Sequence, residues 1–96
     1  MVKKVFPIDT NIDSHILRIN LIEFLTSYLE GRTAFDVVLQ VTERIYQRDP
    51  STLSPVIIDV VTTFHEVKIQ FDAGEEIQED TVKNTVNDLI LRLLEE

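Results

Sequence analysis

One segment decides the fold class of this chain. Residues 56–64 read VIIDVVTTF. Branched and aromatic side chains of this kind favour pleated surfaces. The spacing says otherwise. Ile57, Val60, Val61, Phe64, Val67 and Phe71 recur at i, i+3, i+4, i+7, i+10 and i+14. Asp59, Thr63, Glu66 and Gln70 recur at i, i+4, i+7 and i+11. Two complementary faces from one segment are the mark of an amphipathic helix. Ser54-Pro55 offers a hydroxyl cap and a first-turn proline, and Gly74 supplies the stop. The competing expectation is a hairpin over 56–71, because Val67-Lys68-Ile69-Gln70-Phe71 alternates cleanly. No Gly, Asn or Pro marks its turn near Phe64-His65-Glu66. Helix is the preferred reading, since tertiary burial overrides propensity differences of a few tenths of a kcal/mol per residue.

Three further helices follow from the same logic. Thr10-Asn11-Ile12-Asp13 has the form of a capping box, and Asp13 can also cap directly. Behind it, Leu17, Leu21, Phe24 and Tyr28 share one face. Ile22, Leu25 and Leu29 widen that face, and Ile16 and Ile19 leave little of the circumference polar. Such a helix is expected to be buried on more than one side. A strand over 15–21 competes, since Leu17, Ile19 and Leu21 also alternate. Gly31 marks the helix end.

Thr33-Ala34-Phe35-Asp36 repeats the capping form before a face of Phe35, Val38, Leu39, Thr42, Ile45 and Tyr46 at helical spacing. Arg44 and Arg48 are expected in its last turn, ahead of Asp49-Pro50. After an acidic connector, Asp80 is expected to cap a helix striped by Val82, Val86, Leu89, Ile90 and Leu93. The stretch at 2–6 alternates weakly and reads as a short edge strand or an ordered tail.

The expected fold is therefore all-α: one domain over residues 1–96, a compact antiparallel four-helix bundle with helices at about 13–30, 34–48, 55–72 and 80–95. The alternative is α+β, with a hairpin at 56–71 and three helices.

Composition limits function more than it assigns it. Without cysteine there is no disulfide, thiolate metal site or cysteine nucleophile. A disulfide-free small domain suits a reducing compartment, and cytoplasm is the expectation. The opening residues have two lysines but no apolar run behind them, so they do not read as a signal peptide. No segment reaches membrane-span length.

The net charge of −8 is carried entirely by the second half. Residues 49–96 hold eleven acids against Lys68, Lys83 and Arg92. Such a surface repels phosphate backbones and attracts basic partners. Lys3, Lys4, Arg18, Arg32, Arg44 and Arg48 are dispersed among acids, so nucleic acid is not the expected partner.

Catalytic constellations are lacking. Asp13-Ser14-His15 has the residue types of a hydrolase triad, yet consecutive helical residues do not face one another. His65-Glu66 lacks the second histidine of a zinc motif, and Asp72 adds at most one further ligand. The acidic run at 72–80 has Gly74 at the third position, which rules out the EF-hand order. Two isolated glycines cannot form a phosphate loop. No metal, cofactor or catalytic residue is therefore expected.

The expectation is a small acidic protein-protein interaction module: an adaptor, accessory subunit or inhibitor that also self-associates into a homo-oligomer. Asp72, Glu75, Glu76, Glu79 and Asp80 would meet a basic protein partner. Leu17, Leu21, Phe24 and Tyr28 would provide packing or an oligomer face. The alternative is an acidic DNA-mimic or antitoxin-like inhibitor of a basic protein. A small enzyme ranks last.

Overall fold

The computed structural model describes residues 13–95. Four α-helices account for most of them: α1 (Ser14–Leu29), α2 (Phe35–Tyr46), α3 (Pro55–Asp72) and α4 (Glu79–Glu95), with a 3-10 turn at Pro50–Thr52 between α2 and α3. No strand occurs among the described residues, and the fold is an all-α helical bundle. The stretch at 2–6 and the Thr10 half of the first capping box lie outside the described residues.

Residues 56–71 belong to one uninterrupted helix, so neither the hairpin nor the α+β fold built on it forms. The reason lies in what each face touches. Val56, Ile57, Val60, Val61 and Phe64 are all buried along one side. Full burial of each such side chain is worth about 1.5–3 kcal/mol. That exceeds the few tenths lost per β-branched residue in a helix. The alternation at 67–71 has no structural counterpart: Ile69 is 56% exposed, and Phe71, 45% exposed at the end of the helical face, lies edge-on to Phe35. The strand reading of 15–21 fails likewise, since these residues form the start of α1.

Glycine ends two of the helices. Gly31 and Gly74 both have positive φ, at 80° and 79°. After α1, the Gly31 N–H donates to the Tyr28 carbonyl and the Arg32 N–H to the Ser27 carbonyl. After α3, the Gly74 N–H donates to Phe71 and the Glu75 N–H to Gln70. Both pairs are Schellman motifs, which satisfy the carbonyls that a helix end leaves without partners.

The helix starts are more varied. Asp13 caps α1, its Oδ1 accepting the His15 N–H at 2.9 Å. The expected capping box of α2 does not form. Ala34 is the N-cap, without a side-chain bond. The turn at Gly31 brings Thr33 back against the end of α1, where its hydroxyl pairs with that of Ser27 at 2.8 Å. Asp36 instead occupies the first turn, where its charge favours the positive end of the helix. Helix α4 begins at Glu79, one residue before the expected cap, so Asp80 is a first-turn acid beside Glu79. Arg48 lies beyond the end of α2.

The helices associate as two closer pairs. Helix α2 packs chiefly on α3, and α1 on α4; the α3–α4 and α1–α2 contacts are lighter. Arg18, near the start of α1, donates to the Leu93 carbonyl near the end of α4 at 2.6 Å. At the other end, Lys83 of α4 lies over the Tyr28 ring, 6.0 Å from its centroid. These contacts fit an antiparallel course for α1 and α4. One continuous core includes Leu17, Leu21 and Leu25 of α1, Val38 and Ile45 of α2, Phe64 of α3, and Val86 and Leu93 of α4.

Helix α1 departs from expectation in one respect. It buries a single face, and Ile16 and Ile19 remain 51% and 43% exposed. Among the described residues its main neighbours are α4 and, more lightly, α2.

Candidate functional site

Helix α3 runs out at Asp72, turns at Gly74 and re-enters α4 at Glu79. This geometry gathers the five acids singled out in the sequence onto one end of the α3–α4 pair. Asp72, Glu75, Glu76, Glu79 and Asp80 are all exposed. Asp72 is partly neutralised by Lys68, whose ammonium donates to its carboxylate at 2.7 Å. That hydrogen bond holds the Lys68 ammonium above its usual range. Helix α3 carries no basic residue in its last turn to offset the negative end of its dipole. Glu75 and Glu76 follow this uncompensated C-terminus, whereas Glu79 and Asp80 lie in the first turn of α4, whose positive end favours them.

Below these acids the light α3–α4 contact leaves an open groove of about 290 Å³. Its apolar lining comes from Phe64 and Val67 of α3, Val82 and Val86 of α4, and Ile77 of the connector. Thr63, Gln70, Gln78, Thr81 and Thr85 contribute polar lining, and Glu76 brings a carboxylate to the groove. Phe64 is 1% exposed and Val86 fully buried, which makes them floor rather than surface. The groove was not legible in the sequence, because it depends on how far two helices separate. Its one signal is Ile77, the single large apolar residue in the acidic connector AGEEIQED.

The predicted packing residues lie in the core. Leu17 and Leu21 are fully buried, and Phe24 and Tyr28 are 4% and 3% exposed. Their surfaces are satisfied within the monomer. Around Tyr28, Phe35 lies 6.0 Å away and Phe71 continues the aromatic row at 5.8 Å from Phe35. The Tyr28 hydroxyl has no hydrogen-bond partner among the described residues. Its burial, reinforced by the negative charge of Glu79, pushes the phenol up to about 12.

The two histidine-containing runs meet different neighbours. In the Asp13-Ser14-His15 run the first two side chains serve the fold. Asp13 caps the helix, and the Ser14 hydroxyl accepts the Ser54 N–H at 3.0 Å. His65 does not pair with Asp72 or Glu66. Its Nδ1 faces Glu43 across the α2–α3 seam, 2.9 and 3.1 Å from the two carboxylate oxygens. The imidazole stacks on Tyr46, with centroids 3.9 Å apart and planes at 8°. Glu43 and Tyr46 sit three apart on α2 and so share a face. Sequence reasoning missed this cluster because its partner helix was unknown. One carboxylate and one imidazole fall short of the three or four ligands of a zinc site. No group of three or more metal-ligating side chains occurs among the described residues, and no described helix is long and apolar enough to cross a membrane.

No family model, curated protein or solved structure matches this chain, so its function is argued from the site alone.

Proposed function

We propose that this chain is a small acidic protein-protein interaction module, and that the acidic end of the α3–α4 pair is its binding face. The observation that carries the reading is an open apolar groove with Glu76 in its lining, next in the chain to exposed Glu75, Glu79 and Asp80 of the connector and the start of α4. Apolar area supplies affinity and carboxylates select a basic partner and speed its approach. A chain free of cysteine is compatible with a reducing compartment, and the proposal places the module in the cytoplasm.

Self-association is the second part of the reading. Exposed Ile16 and Ile19 on α1 and exposed Leu91 and Leu94 on α4 offer apolar area that a second copy would cover. Light scattering after gel filtration decides it: a mass of 11.1 kDa at every concentration would refute this part.

Substitution of Glu75, Glu76 and Glu79 by Gln tests the acidic face. Partner binding to the native chain should fall as salt rises from about 0.1 M to about 1 M, where the screening length shrinks from about 10 to 3 Å. The triple variant should bind weakly throughout. Equal binding by both chains at every salt concentration would sink the reading.

A further inference from the structure

The groove is small for a drug-sized ligand. Pockets for such molecules run to about 300–1,000 Å³ and close around the ligand. This one sits at the lower bound at about 290 Å³ and opens along its length between two helices. Its shape suits a few aliphatic anchors presented by something too large to enter. An amphipathic helix presents anchors of that kind, at i, i+3, i+4 and i+7.

Charge then selects among helices. From Glu66 to Asp80 the chain carries Glu66, Asp72, Glu75, Glu76, Glu79 and Asp80 against Lys68 alone. Lys68 is committed to Asp72, and the nearby Lys83 lies over Tyr28. A helix with acidic flanks would meet repulsion from Glu76 and the acids at that end of the pair, and one with Lys or Arg flanks would meet complementary charge. Two grooves facing each other are disfavoured for the same reason, because the whole net charge of −8 lies in the half that carries them.

We propose that the α3–α4 groove receives an amphipathic partner helix whose apolar stripe is bordered by Lys or Arg. Large aliphatic residues of the stripe occupy the space over Phe64, Val67 and Val82, and the basic borders lie against Glu76 and the neighbouring acids. This deepens the interaction-module reading and rests on it, naming the class of partner.

The probes are two synthetic helical peptides of about 15 residues, ~22 Å long. Each has Leu at i, i+3, i+4 and i+7; one is flanked by Lys and the other by Glu. Binding to the full chain is followed by amide chemical shifts and by titration at low salt. The Lys peptide should shift the resonances of Val67, Ile77, Val82 and Thr85, and should bind at least about tenfold tighter than the Glu peptide. Glu76→Lys, a change at an exposed residue, should narrow or reverse that preference. Thr85→Phe, which places a ring in the groove, should weaken both peptides; unchanged helical circular dichroism would show that the fold survives.

Several results would overturn the proposal. One is equal binding of the two peptides; another is shifts confined to residues outside the groove. Concentration-dependent shifts of the same residues without peptide would give the groove to a second copy. Shifts of those residues on removal of residues 1–12 would give it to the chain's own N-terminal segment. If the peptides miss the groove while the triple Gln variant still loses its partner, the acidic module stands and the helix-in-groove inference alone fails.

Discussion

Replacing Tyr28 by Phe should stabilise the protein. The ring is 3% exposed and packs near Phe35 and Lys83. Phe keeps the ring and its contacts and removes only the hydroxyl, which is buried without a partner among the described residues. A buried hydroxyl that makes no hydrogen bond costs about 1–3 kcal/mol. The variant should therefore gain about 1–2 kcal/mol at neutral pH, and its midpoint of thermal unfolding should rise by roughly 4–8 °C per kcal/mol.

The same substitution has a pH signature. In the folded protein the phenol titrates near 12, against its ordinary value of 10.0. The folded state thus holds the proton more tightly than the unfolded state. The stability this linkage preserves is complete below pH 10 and is lost as pH rises from 10 towards 12. Two units correspond to at most roughly 3 kcal/mol. The Phe variant lacks this loss, so its advantage should widen between about pH 9 and pH 11. Lysine titration is common to both proteins and cancels in the difference. Urea unfolding of the two chains over that pH range is the assay. Destabilisation of the variant by about 1 kcal/mol or more at neutral pH would refute the reasoning, because it would mean that the hydroxyl has a partner. A gap constant with pH would refute the titration argument separately.

Other perturbations probe the remaining joints of the fold. Phe64→Ala removes a ring from the core and should cost about 3–5 kcal/mol in urea unfolding, a large part of the total for a chain of this size. Ala at Gly31 or Gly74 meets no neighbouring atom within 4 Å, so any loss should come from the positive φ alone, about 1–2 kcal/mol at each site by thermal melting. Asp13→Ala should cost about 0.5–2 kcal/mol, measured the same way, through loss of the α1 cap. A double-mutant cycle of Glu43→Gln and His65→Gln should give a coupling of about 0.5–3 kcal/mol, and zero coupling would show that the short contact contributes nothing.

What could be read from the chain was what local spacing encodes. The apolar stripe at 57–71, the glycines at 31 and 74 and the stripe at 82–93 set the helices to within a residue or two of their observed bounds. Propensity was the weaker guide, as the helical VIIDVVTTF segment demonstrates. Information that depends on a partner element was not encoded locally. The Thr33 hydroxyl left its capping position for Ser27 because of a turn earlier in the chain. Glu43 and His65 meet only because α2 packs on α3. The acids at 72–80 were identifiable as a cluster, but the groove beneath them exists only through the spacing of two helices. Ile16 and Ile19 marked an apolar surplus, and only the packing shows that it faces outward.

The hydrogen bond from Arg18 to the Leu93 carbonyl spans 75 positions of sequence. It belongs to the α1–α4 pair, whereas α2 and α3 are neighbours along the chain. The two halves of the bundle therefore differ in the entropy needed to assemble them. Pairing α2 with α3 closes a short connection. Pairing α1 with α4 confines everything between, at a cost that rises with the logarithm of loop length. Local contacts form early and distant ones late. The α2–α3 hairpin is thus the natural nucleus, and the α1–α4 seam forms late. Destabilising substitutions in that seam, at Arg18 or Leu93, should then speed unfolding far more than they slow refolding. The α3–α4 groove joins two helices that are neighbours along the chain, so its formation does not wait for the α1–α4 seam.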